Sequence, residues 1–269
     1  MRAIIIPVAL AMLAAGFMSP NHASAQLLEQ AGDDEPVTVE VEQGIEWIRD
    51  AKMYVARGNA VAIRGKVTVR ADMLTALYRE KETGGTEIHR LEATGSAIIE
   101  TLNDRATADR AVYDLDQQVV VLLGDALRFE NGQDVITARD SLEYWEARRL
   151  AVARGDAMAV RDGQRIQADV LTAYFEAVEG GGNRIARVDA TGGVVITTPQ
   201  EVARGQEGVY NALEEKVTLS GDVRITRAEN QLNGERAVVD LRTGISRLLP
   251  SDGTGGRVKG LFIPGAASQ

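Results

Sequence analysis

The residues of this chain that could do chemistry are few and mostly acidic. The 269 residues include 39 Asp and Glu, two His and no Cys. Outside the N-terminal leader the chain has one histidine, His89. The equivalent position in the internal repeat described below is Ala186. Acid–base or nucleophilic catalysis needs such a group fixed beside a second one. We therefore interpret His89 as a surface residue of a strand and predict that the protein is not an enzyme.

Other patterns that could form a site have simpler explanations. Asp114 and Asp116 resemble the start of a calcium loop, but the remaining ligand positions and the closing Glu are absent. Two pairs of carboxylates could act as the acid and base of a glycosidase: Asp109 with Asp114, and Asp134 with Asp140. Because the chain has so many acidic residues, we interpret these as side chains on solvated strand faces. No serine-elbow, zinc-protease or Walker A motif occurs. We predict no metal and no cofactor.

The N-terminus has the pattern of a secretory signal peptide. Arg2 is followed by an apolar run from residue 3 to 17, and Ala23-Ser24-Ala25 forms a small-residue cleavage site. The run is shorter than the roughly 20 residues of a membrane span. We predict cleavage after Ala25 and export. The net charge of −9 gives no overall attraction to nucleic acid, and without cysteine the exported fold depends on its core and its hydrogen-bond ladders.

The chain contains a repeat within a repeat. A glycine followed by a small or polar residue and an apolar stretch recurs six times, at residues 58, 95, 124, 155, 192 and 221. The spacings of 37, 29 and 31 residues begin again after the third interval, so the true unit is 97 residues long. Residues 57–95 match residues 154–192 at 18 of 39 positions without a gap. The sequence is therefore a duplicated module.

Each subrepeat has a pattern typical of β-strands. Val67–Asp72 alternates apolar with polar side chains, as a strand with one wet face does. Asp114–Asp116 and 211–216 predict turns before new strands. Residues 140–152 contain many helix formers, but their counterpart 237–249 contains a glycine and β-branched residues, so we favour strand–turn–strand in both. The Gly-rich residues 250–269 are predicted to be a flexible tail, except for the apolar stretch Val258–Ile263.

Two segments resemble the OstA-like family, and within it the periplasmic bridge proteins of lipopolysaccharide transport. One runs from Val37–Trp47 into Tyr54–Ala60, and the other from Ala106–Asp114 into Val119–Ala126. The family typically has a Gly-Asn/Asp-Ala step at these points, with a Tyr before the strand that leads into it. The resemblance implies an all-β jellyroll with an open apolar cleft. Here it would have six glycine-started subrepeats in two modules of about 97 residues, whereas a minimal member has three.

The resemblance also implies a function, a location and partners. The protein would sit in the periplasm and carry lipopolysaccharide from an inner-membrane export complex to an outer-membrane assembly protein, with possible head-to-tail self-association. The predicted domains are a signal peptide (1–25), modules 26–153 and 154–249, and the tail. The alternative is a structural or adhesive β-repeat protein without a lipid ligand.

The site residues expected from this resemblance form two sets. The set assigned to the inner, lipid-binding face is Val61, Ile63, Val69, Leu74, Leu127, Phe129, Met158, Val160, Ile166 and Leu171. The set assigned to the docking edges is Val37, Val39, Val41, Val238 and Leu241.

Overall fold

A computed structural model shows an all-β protein built from antiparallel strands. It describes residues 37–82, 84–132, 134–161, 163–178, 183–199, 201–240, 243, 245–250 and 257–261. Within these ranges every regular element is a strand. No helix in the described ranges is long and apolar enough to cross a membrane.

The strands are numbered in chain order. They are β1 (Thr38–Glu40), β2 (Gly44–Ile48), β3 (Met53–Arg64), β4 (Val67–Glu80), β5 (Thr86–Glu100), β6 (Asp104–Asp114), β7 (Val119–Leu123), β8 (Leu127–Asn131), β9 (Asp134–Ala138), β10 (Ser141–Trp145), β11 (Leu150–Arg161), β12 (Gln164–Ala177), β13 (Asn183–Thr197), β14 (Val202–Asn211), β15 (Lys216–Arg227), β16 (Asn230–Asp240), β17 (Ile245–Leu249) and β18 (Lys259–Leu261).

The chain forms two compact units. Among the described residues, the first unit comprises residues 37–155 and 175–184, and the second comprises residues 156–174, 185–250 and 257–261. In the first unit, β2 to β6 pair in sequence as a meander, and β6 then pairs with both β7 and β8. In the second unit, β13 to β16 form a similar meander.

The long strands are interrupted at the repeated glycines. The strand register shifts at Arg57/Ala60 in β3 and at Thr94/Ala97 in β5, and the second unit has equivalent shifts in β13 and β15. Each of these steps contains two consecutive residues with positive φ, such as Gly58 (83°) and Asn59 (43°). Glycine and Asn tolerate this conformation better than most residues. At these four positions the Gly-polar motif is therefore a β-bulge that bends the strand, whereas Gly124 lies in the break between β7 and β8.

The bulges divide each unit into two halves, which we call arm A and arm B. In the first unit, arm A comprises 38–40, 60–71, 97–108 and 127–138, and arm B comprises 44–57, 73–94, 110–123 and 141–154. In the second unit, arm A comprises 157–168, 194–205 and 223–234, and arm B comprises 185–191, 207–220 and 236–249. We call the zone between the arms the corner. The inner face is the face of each arm that carries the side chains in register with buried Ala56, Ala60, Ala190 and Ala203.

Several elements confirm the sequence analysis. Residues 140–152 form β10, a turn and the start of β11, so the helical alternative is wrong. Turns follow Asp114 and Asn211 as predicted. The alternating segment Val67–Asp72 opens β4. Strand β18 lies in the apolar stretch Val258–Ile263, which we did not include in the predicted flexible tail, and it pairs with β16. The predicted signal peptide lies outside the described residues.

Candidate functional site

The inner face is built from continuous rows of small and apolar side chains. The row of arm B nearest the corner in the first unit crosses seven strands and consists of Ala56, Leu74, Ala93, Ala111, Leu122, Leu142 and Ala153. Six of these seven are buried, and Leu74 is half-buried. Alanine dominates on the arm A side of the corner too, at Ala60, Ala71, Ala97 and Ala108. The rows on the two sides of the corner therefore consist mainly of alanine, with Leu74, Leu122, Leu127 and Leu142 as the larger side chains.

The next row of arm B is less well covered. It runs from Tyr54 through Ala76, Leu91, Tyr113, Val120 and Tyr144 to Ala151, and each member is exposed or half-buried. Leu91 is 38% exposed although it lies on the inner face. An apolar row that a single unit leaves partly exposed is a candidate ligand surface.

The inner face stays exposed at the N-terminal strands. Ile45 and Trp47 pair with Ala56 and Tyr54 and so lie on the inner face of arm B, yet they are 57% and 52% exposed. Val39 pairs with Ala62 and continues the inner face of arm A. The apolar strip therefore runs uncovered to this end of the first unit.

Six of the ten predicted inner-face residues lie on the inner face. Val69 and Phe129 belong to one row with Ala62, Ile99, Ala106 and Ile136. Leu127 pairs with buried Ala138, and Leu74 lies in the arm B row. Ile166 lies two residues from buried Ala168, and Leu171, the counterpart of Leu74, is buried.

The other four predicted residues lie on the opposite face, which corrects the sequence analysis. Val61 and Ile63 alternate with Ala60 and Ala62, and Ile63 is 39% exposed whereas Ala60 is fully buried. Met158 and Val160 alternate in the same way with buried Ala157. The larger residues were assigned inward by their hydrophobicity. Side chains alternate between the faces of a strand, so the inward position of Ala60, Ala62 and Ala157 sends the larger residues between and beside them outward.

The sequence analysis also missed a polar partner for each repeated glycine. A Cβ built on Gly58, Gly95, Gly124, Gly155, Gly192 or Gly221 would collide with, respectively, Gln43, Asp72, Asp109, Asp140, Asp169 or Gln206. These partners precede their glycines by 15, 23, 15, 15, 23 and 15 residues, so they repeat with the same 97-residue offset. That recurrence was readable from the sequence.

The candidate catalytic residues of the sequence have structural contacts. The Asp109 carboxylate accepts a hydrogen bond from the backbone N–H of Asp125 (2.9 Å). Asp114 accepts one from the N–H of Gln117 in the following turn (2.9 Å). Asp116 binds Arg79, which lowers the pKa of Asp116 below its ordinary value. The backbone carbonyl of His89 accepts a bond from the N–H of Leu115.

Charged residues on the opposite face form cross-strand ladders. Glu100 binds Arg70 and Arg105, and Glu92 binds Arg90 and Arg110. Burial raises the pKa of Glu92, but the hydrogen bonds from Arg110 and Arg90 outweigh it and hold the pKa below its usual range. The two faces therefore differ: the inner face is mainly apolar in these rows, whereas the opposite face combines paired charges with buried valines, which are Val55, Val112, Val119 and Val152.

Among the described residues, three buried carboxyls lie at the far end of arm A: Asp104 and Asp134 in the first unit, which both pair with Asn131, and Glu201 in the second. Asp104 is buried, and its carboxylate accepts hydrogen bonds from Thr101 and Asn131. Burial raises the pKa of Asp104 despite these bonds. Glu201, its counterpart at offset 97, is also buried, and burial likewise raises the pKa of Glu201. The polar end of the inner face is thus repeated in both modules.

Aromatic side chains cluster at the far end of arm B in the first unit. The Trp47 indole donates to the Tyr78 hydroxyl (2.9 Å), and the Trp47 ring stacks on Tyr54 at 5.7 Å. The Arg49 guanidinium covers the Trp47 ring at 4.4 Å. The ring faces are therefore occupied, and Trp47 is a rim residue rather than a free stacking platform. At offset 97 from Trp47 and Tyr78, Tyr144 and Phe175 meet edge to face.

The described strands leave an edge at each end of the ladder. Within the described residues, β1 and β2 pair only with β3, and β17 and β18 pair only with β16. Val37 and Val39 lie at the first edge and are exposed, and Val41 follows β1 and is half-buried. Val238 is paired on both sides, with Thr218 and Arg247, so β17 and β18 form the second edge rather than Val238 itself. Leu241 lies outside the described residues.

The two edges carry opposite charge. Residues 37–48 contain Glu40, Glu42 and Glu46 and no basic residue. Residues 245–250 and 257–261 contain Arg247, Arg257 and Lys259 and no acidic residue. The described part of the chain contains no cluster of three or more potential metal ligands.

Comparisons with known proteins identify a family and two similar proteins. A family model described as "LptA/(LptD N-terminal domain) LPS transport protein" matches residues 39–140 and again residues 136–245. The two matches start 97 residues apart. An uncharacterized protein of Rhizobium meliloti (strain 1021), R00383, is 26% identical over 138 residues, which is 49% of this chain and 73% of that protein. A crystal structure of LptH from Pseudomonas aeruginosa, described as the LptA homologous periplasmic component of the lipopolysaccharide transport device, aligns with a TM-score of 0.40 and 20% identity over 49% of this chain and 95% of LptH.

Proposed function

Because the chain belongs to the family of LptA and LptD N-terminal-domain lipopolysaccharide transport proteins, we propose that it is a periplasmic bridge protein that carries lipopolysaccharide from the inner to the outer membrane. The acyl chains bind the inner apolar face while the phosphates and sugars stay in water. No step of this role requires catalysis or a cofactor.

The partly exposed apolar strip is the observation that carries the proposal. It comprises the second row of arm B and the exposed Ile45 and Trp47. Burying each acyl methylene contributes about 0.8 kcal/mol, so roughly 12 methylenes gain on the order of 10 kcal/mol. A lipid can move between similar apolar surfaces without returning this energy to water.

The alternation of the strands supplies a sharp test. A photocrosslinker placed in living cells at Val69 or Leu91 faces inward, whereas one at Ile63 or Thr68 faces outward on the same or a neighbouring strand. We expect lipopolysaccharide adducts from the two inward positions and none from the two outward ones. Equal labelling of both faces, or labelling of neither, would contradict the proposal and favour a structural β-repeat protein.

The edges are the proposed docking surfaces for protein partners. Unpaired strand edges are ready templates for strand addition by another chain. The edge formed by β1 and β2 would receive the inner-membrane export complex, and the edge of β17 and β18 the outer-membrane assembly protein or a second copy. The acidic first edge and the basic second edge are complementary, which supports head-to-tail association of copies.

A further inference from the structure

One buried polar group of the second unit lacks a partner. Tyr210 lies on the inner face of arm B, in a row with Val188, Val217 and Val239. Its side chain is 8% exposed, and its hydroxyl oxygen is buried without a hydrogen-bond partner among the described residues. A buried hydroxyl with no partner destabilises the folded state. Phenylalanine would fill the same space without that penalty, so the fold alone does not account for the hydroxyl.

The duplicated module contains the same tyrosine in a different setting. Tyr113, at offset 97 from Tyr210, directs its hydroxyl at the Glu146 carboxylate (3.5 Å). The residue at offset 97 from Glu146 is Thr243, which is exposed. The first unit therefore provides an acceptor for its tyrosine, and the second unit has replaced that acceptor by a shorter residue.

The surroundings of Tyr210 restrict the chemistry of a ligand acceptor. The neighbouring residues of the row are aliphatic, so a ligand that places a hydrogen-bond acceptor here must have a hydrocarbon part next to that acceptor. Burial raises the pKa of Tyr210, and the nearby Glu215 carboxylate raises it further. The same negative charge repels an anionic group such as a phosphate or a free carboxylate. A neutral carbonyl joined to an alkyl chain meets both conditions.

We propose that the Tyr210 hydroxyl donates a hydrogen bond to the ester or amide carbonyl of a lipid acyl chain held on the inner face of the second unit. The proposal rests on the proposed function, because it needs acyl chains at this face. It adds a specific polar contact that selects acylated lipids over plain alkyl chains, and it gives the two modules different roles.

The test compares three full-length, signal-cleaved proteins with two probes. The proteins are the wild type, Tyr210→Phe and, as the control, Tyr174→Phe, which removes the hydroxyl of an exposed tyrosine that lies beside Arg187 on the opposite face. The probes are purified lipid A, which contains acyl carbonyls, and dodecyl maltoside, whose alkyl chain has none. Affinities are measured by titration calorimetry, and thermal unfolding is followed without lipid.

We expect Tyr210→Phe to bind lipid A about three- to tenfold more weakly, the range of one neutral hydrogen bond, and dodecyl maltoside as tightly as the wild type. Its melting temperature should stay unchanged or rise by about 2–4 °C, because an unpaired buried hydroxyl is removed. Tyr174→Phe should change the affinity for lipid A less than about twofold, because its hydroxyl is on the opposite face.

Three results would overturn the inference: unchanged lipid A affinity of Tyr210→Phe, equal weakening with both probes, or a lower melting temperature that shows a partner in the free protein. If the wild type binds neither probe, the proposed function itself fails. Lipid binding by the wild type with no effect of Tyr210→Phe leaves the proposed function standing and removes only the contact.

Discussion

At the scale of single residues, glycine is required at the corners for two separable reasons. Gly192 has φ of 83°, and a Cβ there would collide with the Asp169 side chain. Its neighbour Gly193 has φ of 61° but meets nothing within 4 Å. Backbone strain acts at both positions, and steric exclusion acts only at Gly192.

We predict that Gly192→Ala lowers the free energy of unfolding by about 2–4 kcal/mol, since strain and collision add. Gly193→Asn should lower it by less than about 1 kcal/mol, because Asn tolerates positive φ. Urea unfolding followed by circular dichroism measures both. In the double variant Gly192→Ala/Asp169→Ala, part of the loss should be recovered. Equal losses at Gly192 and Gly193 would show that the carboxylate is irrelevant to the corner.

The buried carboxyl of Asp104 predicts a pH dependence of stability. Its folded-state pKa is raised by burial above the unfolded value of about 4. The folded protein therefore holds a proton that the unfolded chain releases, and stability falls as the pH rises through this window. Asp104→Asn should remove that fall, as shown by urea midpoints at closely spaced pH values from about 4 to 7.

Glu92 provides a control of opposite sign. The pKa of Glu92 is lowered in the fold, so its contribution is complete above the unfolded pKa and is lost as the pH falls through the folded value. Glu92→Gln should reduce stability at neutral pH and leave it unchanged in strong acid. A pH profile of Asp104→Asn that parallels the wild type would refute the role assigned to Asp104.

At the scale of elements, the sequence predicts the strands better than their faces. The turns after Asp114 and Asn211 follow from local residue types, and the structure has them. Phe129 lies in one row with Ala106 and Ile136 on the inner face. Val61 and Ile63 lie on the opposite face, because hydrophobicity does not show which of two alternating sets of side chains points inward. The Tyr210 environment depends on contacts across four strands, which no local pattern encodes.

The edge strand β1 offers a test of docking by backbone pairing. Neighbouring residues of a strand point their N–H groups to opposite sides. One of the two residues Thr38 and Val39 therefore points its N–H toward β3, and the other points it away from β3. Proline at the outward position removes only the donor that a partner strand would use. We predict that one of Thr38→Pro and Val39→Pro abolishes binding to the inner-membrane complex with unchanged thermal unfolding, measured by pull-down and calorimetry. If both variants bind normally, β1 is not the docking edge.

At the scale of the whole molecule, the opposite charges of the two edges predict salt-sensitive self-association. Glu40 and Glu42 are exposed on the first edge, and Lys259 is exposed on the second. We predict that Glu40→Lys/Glu42→Lys weakens association at low salt, and that Lys259→Glu does the same. Mixing the two variants should restore it, because the altered edges are again complementary. Sedimentation velocity at about 50 mM and 500 mM salt measures these effects, since screening grows with ionic strength. If the charge substitutions and the salt concentration leave the association unchanged, the contact between copies is purely apolar.

The sequential pairing of strands has a consequence for how the chain acquires its fold after export. From β2 to β6 and from β13 to β16, each strand pairs with the one made just before it. Such short-range contacts close small loops and favour fast folding. A chain emerging N-terminus first can therefore add one hairpin at a time to an edge that is already ordered. With no cysteine in the sequence, this growth waits for no thiol oxidation, and the meander from β2 to β6 can form before the strands β13 to β16 are available for pairing.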